Sequence, residues 1–383
     1  MPTILISCNA FKGSASSRSV GEALARGLEA AGCRAVVVPL ADGGDGTLEV
    51  FDDLGFRRRA VVVRGADGRR VSAEYSLEGV SVDGGPRTAV IEIARACGLD
   101  MVTVNGTPPG PDEARQAGSW GVGDLILAAL DEGVGRIILG LGGSSTTDAG
   151  FGMAEALGVV FRDASAGTVT RVGDMASVVT VDTDGTDPRL AGVDVVIASD
   201  VRNPLCGPDG AAAVFGPQKG LASEDLDQVD DALHRFAVAV EGALGTSGVA
   251  GQPGAGAAGG LGFMALALLG AEMRSGVGLV LDETGFTDAL DGVDLVITGE
   301  GRLDAQTLGG KAPAGVAERA RRHGVPVVAV CGQNQLGSSG LFAAVHSLTD
   351  HEPDVAECIR HPLPVLERIG REIGAGLGSG FTA

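Results

Sequence analysis

Apolar residues gather in short consecutive runs along much of this chain, and most of the runs end on glycine or an acidic residue. Thr3 to Cys8 is the first. It is followed by the loop AFKGSAS and then by Val20, Ala23, Leu24, Leu28 and Ala31 at the spacing of one helix face, with Gly32 to close the helix. A second run, Ala35 to Leu40, leads into ADGGDGT and a short helix around Leu48 to Leu54. Strand, helix, strand, helix is the opening of a parallel sheet flanked by helices. Ile137 to Leu141, Val193 to Ala198, Leu295 to Thr298 and Val325 to Val330 are apolar at consecutive positions, as strands buried on both faces tend to be. From about Arg57 to Thr88 the pattern changes to alternation broken by charges and turn residues, which predicts an antiparallel hairpin. The last third returns to strand and helix, ending in a helical stretch from about Ala356 to Ile373.

The fold class this predicts is α/β, with the two chain ends completing one Rossmann-like, doubly wound parallel sheet around a central inserted domain. The expected boundaries are 1–64 plus 287–383 for the discontinuous domain and 65–286 for the inserted α/β domain. In open parallel sheets ligands collect outside the carboxyl ends of the strands. Chemistry is therefore expected in GLGGSSTTDAG, SDVRNPLCG, GEGRLD and CGQNQ, the segments that follow the later runs.

Charge narrows the choice of ligand. The 49 acidic residues outnumber the 29 basic ones and leave a formal charge of −20. Such a surface repels nucleic acid and anionic membrane, so any anion the protein binds must meet a local positive site. Only three of the basic residues are lysines, and each sits beside glycine: Lys12 in AFKGS, Lys219 in PQKGL and Lys311 in GGKAP. A compact ammonium on a glycine loop suits close approach to phosphate or carboxylate. No apolar run of about 18 residues is free of charge or glycine, and the N-terminus lacks a basic segment before a long apolar stretch, so a cytoplasmic protein is expected. The six cysteines show no CxxC pair and no metal-ligand spacing, which predicts reduced packing thiols. Eleven Phe, one Trp and one Tyr are too few for a base-stacking surface.

Several segments carry candidate chemistry. LVITGEGRLDAQTLGGKAP places Glu300, Arg302, Asp304, Gln306 and Lys311 close together after a buried strand. That mixture of acid, amide and base can hold a divalent cation and phosphate together, and Mg²⁺ usually takes only one or two carboxylates beside phosphate oxygens. PLADGGDGT offers Asp42 and Asp45, either as metal ligand or as a cap for the helix near Thr47. SDVRNPLCGPDGAAAVFGPQKG is rich in proline and glycine and carries Asp200 directly after an apolar run, placed to take a proton from a hydroxyl or simply to shape a turn. TTDAGFG sets Asp148 beside glycines at a helix start. GAGAAGG, residues 254–260, matches GxGxxG and opens an apolar helix from Leu261 to Leu269. Its glycines would let a phosphate approach unpaired N–H groups, but a dinucleotide fingerprint needs a strand just before it and VAGQP is a poor one. GxxxxGK[ST] is absent, since both position 305 and position 312 are alanine.

Taken in order, SCNAFKGSASS, PLADGGDGT, GLGGSSTTDAGFGMAEALG, SDVRNPLCGPDGAAAVFGPQKG, GAGAAGGLGFMALALLGAEMRSG and DLVITGEGRLDAQTLGGKAPAGVA resemble the type 1 glycerate kinase family, bacterial glycerate 2-kinases that transfer the ATP γ-phosphate to glycerate. The resemblance runs from about residue 3 to past residue 330. The chain has Asn9-Ala10 where the family commonly has Asp-Ser, and Asp45, Thr147 and Arg202 where it commonly has Glu, Asn and Asp. No catalytic role is therefore assigned to positions 9 and 202. The resemblance implies two non-similar α/β domains with an interdomain cleft, ATP and Mg²⁺, and 2-phosphoglycerate as product.

On that basis Lys12 and Lys311 are expected to neutralise the β- and γ-phosphates, Glu300 and Asp304 to hold Mg²⁺, and Asp200 to face the C2 hydroxyl of D-glycerate as base, with Asp42 and Asp304 as alternatives. Arg302 is a candidate for the glycerate carboxylate. Asp42, Ser144, Lys219, Gly256, Gly259 and Gly260 are candidate substrate or phosphate contacts. The expected partners are glycerate and ATP alone, without nucleic acid or membrane, and a homo-oligomer is left open. Two other readings stand beside this one: an NAD-dependent oxidoreductase acting on a small hydroxy acid through GAGAAGG, and a sugar-acid sensor without catalysis.

Overall fold

The structure is a computed structural model that describes residues 1–79, 85–308, 312–337 and 340–378. The chain divides into two compact units, passing from the first to the second at Asp42–Gly43 and back at Arg274–Ser275.

Unit 1 comprises Met1–Asp42 and Ser275–Ala383. Its five-stranded sheet runs Ala344–Ser347, Val327–Asn334, Leu295–Leu303, Thr3–Cys8, Arg34–Val37 in space, and every neighbouring pair is parallel. The chain thus builds the strand Thr3–Cys8, adds a neighbour on one side and later three on the other. Both ends of the sequence contribute, as the apolar runs predict. Ile4, Ile6, Cys8, Leu295, Ile297, Val328 and Val330 form a buried apolar layer with Val20, Leu24 and Leu28 of the helix Ser17–Ala30 and Leu366 and Ile369 of the helix Pro362–Gly378. These two helices can pack closely because each offers a glycine at the crossing. A Cβ on Gly27 would lie 2.0 Å from the Glu367 carbonyl oxygen, and one on Gly370 would lie 2.4 Å from that of Leu24. The single terminal helix expected from about Ala356 is two, Val355–Arg360 and Pro362–Gly378, since proline at 362 favours a helix start and restricts the residue before it.

Unit 2, Gly43–Arg274, holds a six-stranded mixed sheet in the order Glu272–Arg274, Asp194–Ala198, Val134–Gly140, Arg87–Glu92, Arg70–Leu77, Arg57–Arg64. The first four strands are parallel. The last two form the expected hairpin, with Arg57 opposite Leu77 and Arg64 opposite Arg70. A small antiparallel sheet, Thr168–Val169, Val160–Arg162 and Thr180–Asp182, stands apart. Phe151, Phe161 and Phe236 cluster in the core of this unit with ring centroids 4.5–5.6 Å apart.

All six cysteines are unpaired thiols, five of them buried. Among the described residues, no helix is long and apolar enough to cross a membrane.

Candidate active site

Strand order in unit 1 switches direction between Thr3–Cys8 and Leu295–Leu303. At such a switch the following connections leave toward opposite sides, and a crevice opens beyond the carboxyl ends of the two strands. A cavity of about 500 Å³ lies there. Asn9, Phe11 and Lys12 line it from the exit of the first strand, and Asp42 from the segment after Arg34–Val37. Glu300, Arg302 and Asp304 line it from the neighbouring strand and the turn that follows, and Gln333 from the next strand.

The sequence pattern ends the apolar part of this third strand at Thr298, but pairing continues through GEGRL to Leu303, with Glu300 opposite Cys331 and Arg302 opposite Gln333. Glu300 and Arg302, two residues apart on a strand, therefore project from one face. Rigid sheet, not loop, carries them. Beyond the strand, the buried Thr307 hydroxyl donates to Glu300 Oε1 at 2.6 Å and accepts from the Asp304 backbone N–H at 3.1 Å, so one side chain fixes both acidic residues. Arg302 Nε donates to Asp304 Oδ2 at 3.1 Å, with most of the arginine in solvent. Across the cavity floor, Asn9 Nδ2 donates to Asp42 Oδ2 at 3.4 Å, while Asn9 Oδ1 accepts from Ala10 N–H at 2.8 Å. Lys12 is exposed at the rim. Lys311 lies outside the described residues.

Glu300 and Asp304 fit what Mg²⁺ asks of a protein that leaves the remaining positions to phosphate oxygens and water, namely one or two oxygen ligands on a fixed backbone. Among the described residues no third acidic, histidine or cysteine ligand joins them, so a closed protein cage for a metal is not offered there.

The strand exits of unit 2 are built differently. Gly43 and Gly44 lie directly on them. A Cβ on Gly43 would meet the Ala198 carbonyl oxygen at 2.3 Å, one on Gly140 would meet that of Gly43 at 2.4 Å, and one on Gly142 would meet Gly44 Cα at 2.4 Å. The helix Thr47–Asp53 that follows receives no side-chain cap from Asp45; Leu48 N–H donates instead to Glu92 Oε1 at 2.8 Å. Glu92 is buried, which raises its pKa, and it also accepts from Arg95 Nε at 2.8 Å.

Next to these exits, Lys219 is buried and its Nζ donates to Ser144 Oγ at 2.9 Å and to the Thr146 carbonyl at 2.6 Å. Burial lowers its pKa to about 8. Asp148 is fully buried as well. It accepts from Ser119 N–H and Oγ and from the N–H groups of Gly150 and Gly152, at 2.7–3.1 Å, and so holds the start of the helix Phe151–Ala156. Burial raises its pKa against those hydrogen bonds.

GAGAAGG follows the short 3₁₀ turn Val249–Gly251 and is itself a tight turn, with Ala258, Gly259 and Gly260 all at positive φ. This is not the strand-turn-helix setting of a dinucleotide fingerprint. A Cβ on Gly259 would fall 1.9 Å from the Thr146 carbonyl oxygen, one on Gly260 2.6 Å from Ala149 Cα, and one on Gly256 2.2 Å from the Pro204 carbonyl oxygen. Gly256 N–H donates to the Asn203 carbonyl. Asp200 stands half-buried two residues past the strand Asp194–Ala198.

The structure thus gathers Lys12, Asp42, Glu300, Arg302 and Asp304 around one cavity of unit 1, and gathers Ser144, Lys219, Gly256, Gly259 and Gly260 in the loops of unit 2. Thr307, Glu92 and Ser119 escaped the sequence reading. Threonine three residues past GEGRLD carries no charge to draw notice, and Glu92 ends an apolar strand where an acid reads as a boundary.

The glycerate kinase family profile matches residues 4–377. A glycerate kinase of Bacillus subtilis (strain 168) is 39% identical over 382 residues, covering 98% of this chain and 97% of the relative. A glycerate 2-kinase of Escherichia coli (strain K12) is 36% identical over 391 residues, covering 99% and 98%. The crystal structure of a candidate glycerate kinase 2 from Salmonella typhimurium LT2 superposes with a TM-score of 0.83 at 38% identity, with 99% of each chain covered.

Proposed function

The chain belongs to the glycerate kinase family and is a phosphotransferase acting on glycerate and ATP; from that premise we propose that it phosphorylates D-glycerate at the C2 hydroxyl, giving 2-phosphoglycerate and ADP, with Mg²⁺ at Glu300 and Asp304. The observation that carries the chemistry is the cavity at the strand-order switch, where a lysine, an arginine and three carboxylates converge. Phosphoryl transfer asks little covalent work of the protein and much positioning and charge neutralisation. Bound Mg²⁺ supplies neutralisation of the phosphate oxygens. Lys12 supplies a movable ammonium at the rim, and Lys311 is given the same task from its place in the sequence. Thr307 holds the Glu300 carboxylate and the Asp304 backbone, and Arg302 holds an Asp304 carboxylate oxygen, so a cation could use both acids without reorganisation at the moment of transfer. Arg302 is the candidate partner of the glycerate carboxylate.

Asp200 keeps the role of candidate base, with Asp42 and Asp304 as alternatives. The preference for C2 rests on the relative named glycerate 2-kinase. Incubating the protein with Mg-ATP and either D- or L-glycerate, then reading the product by phosphorus NMR, tests the proposal. A 2-phosphoglycerate resonance from the D isomer is expected. Product appearing as 3-phosphoglycerate overturns the regiochemistry, and ATP hydrolysis independent of glycerate overturns the reaction.

A further inference from the structure

The cavity in unit 1 is larger than a three-carbon acid requires, and its lining falls into two chemically distinct groups. At about 500 Å³ it falls in the range of sites that bury drug-sized ligands. One is the polar group around Glu300, Lys12 and Asp304 already described. The other is apolar: Leu348 together with Val355 and Ile359, one turn apart on the helix Val355–Arg360. Val355 is 40% exposed and Ile359 50%, both within the exposed class among the large apolar side chains of the described residues. Both line this one cavity, so a ligand that fills it would cover them.

The wall is also held in place. Ser14 Oγ donates to the Ile359 carbonyl at 2.6 Å, which fastens the helix to the turn that presents Lys12. Asp354 accepts from the N–H groups of Ala356 and Glu357 and fixes the helix start. A pre-ordered apolar wall continuous with a cationic, acid-bearing floor matches a ligand with a flat apolar head and a polyanionic tail.

Resting on the kinase reading above, we propose that Leu348, Val355 and Ile359 form the subsite for the adenosine end of ATP, with the triphosphate running toward Lys12 and Glu300. Glycerate has no part that could use this wall. The wall therefore contributes to nucleotide affinity and not to acceptor affinity.

The test is a split between two Michaelis constants in the full chain. Ile359 is half-exposed, so Ile359→Asn places no polar group in the core, and Val355→Asn is a second variant of the same kind. Loss of one apolar contact of this size is worth a factor of about 5–10 in affinity. Each variant is expected to raise KM for ATP by about that factor while KM for glycerate stays within about twofold. Adenosine alone is expected to inhibit competitively against ATP, and calorimetry without glycerate is expected to show the same weakening of Mg-ADP binding.

An unchanged KM for ATP in both variants, or a rise in KM for glycerate instead, overturns the subsite. Failure of the kinase reading itself is distinguishable, because it would show first as no glycerate-dependent ADP release by the unaltered protein.

Discussion

Both sheets bring glycine backbone close at their strand exits, as Gly299 and Gly332 do in unit 1, but they differ in what else stands there. In unit 1 the exits of Thr3–Cys8 and Leu295–Leu303 present side chains to a cavity: a lysine, an arginine, an asparagine and three carboxylates, all reachable from solvent. In unit 2 the backbone of Gly43 and Gly44 lies on the exits of Val134–Gly140 and Asp194–Ala198, with Asp200 half-buried just beyond the second. Gly43, Gly140, Gly142 and Gly259 permit backbone contacts at which a Cβ would clash, and the polar groups nearby, Lys219, Ser144, Asp148 and Glu92, are buried and bonded to main chain and to neighbouring side chains. The same topological rule places a crevice at the end of a parallel sheet in both cases. Whether that crevice becomes a ligand site depends on what the following loop puts there.

Removing charge from the open end should affect the two units most unequally. Lys12→Ala is expected to lower kcat by roughly 10²-fold or more, as loss of a preorganised electrostatic partner does in other enzymes. Steady-state ADP release with saturating glycerate measures it, alongside a thermal melt that should hardly move, since Lys12 is exposed. Near-normal turnover would remove Lys12 from the mechanism.

A glycine substitution at each end draws the contrast in stability. Gly259→Val meets a carbonyl oxygen at 1.9 Å from a positive φ and is expected to cost more than about 4 kcal/mol, read as a lost or strongly shifted denaturation midpoint. Gly301→Ala in unit 1 meets nothing nearer than 3.6 Å and is expected to change stability by less than about 1 kcal/mol. Equal costs would mean that the two ends are not built as differently as described.

A smaller effect concerns the buried ammonium. Because burial holds Lys219 near pKa 8, below its ordinary 10.5, the unfolded chain binds the more protons between those values, and stability contributed by this group rises with pH through that window. The rise is on the order of 2–3 kcal/mol, and Lys219→Met should flatten it in denaturant midpoints measured from pH 7.5 to 10.5. An identical pH slope in both proteins would contradict the inward placement of the ammonium.

Much of the fold was legible because period and run length are direct consequences of burial. Consecutive apolar runs marked the strands of both sheets, the charged alternation after Arg57 marked the hairpin, and the recurrence of runs near both ends marked a sheet completed by the two termini. What pattern alone missed depends on particular contacts that no period encodes. GEGRL reads as a loop from its glycines, yet pairing with Val327–Asn334 keeps it in the sheet and gives Glu300 and Arg302 a rigid base. GAGAAGG has the composition of an anion-binding turn, and only the proximity of Thr146 and Pro204 shows that its missing Cβ atoms accommodate other backbone. Lys219 offers the same lesson: glycine beside lysine signals close approach, but not to what. Thr307 was invisible because its importance lies in two hydrogen bonds to residues three and seven positions away.

On the reading proposed above, nucleotide is received at the open exits of unit 1. Hydrogen–deuterium exchange of the full chain with and without Mg-ADP tests it most directly. Protection is predicted in 9–14, 300–304 and 355–359. Protection confined to 142–148 and 254–262, with none at 9–14, would contradict it.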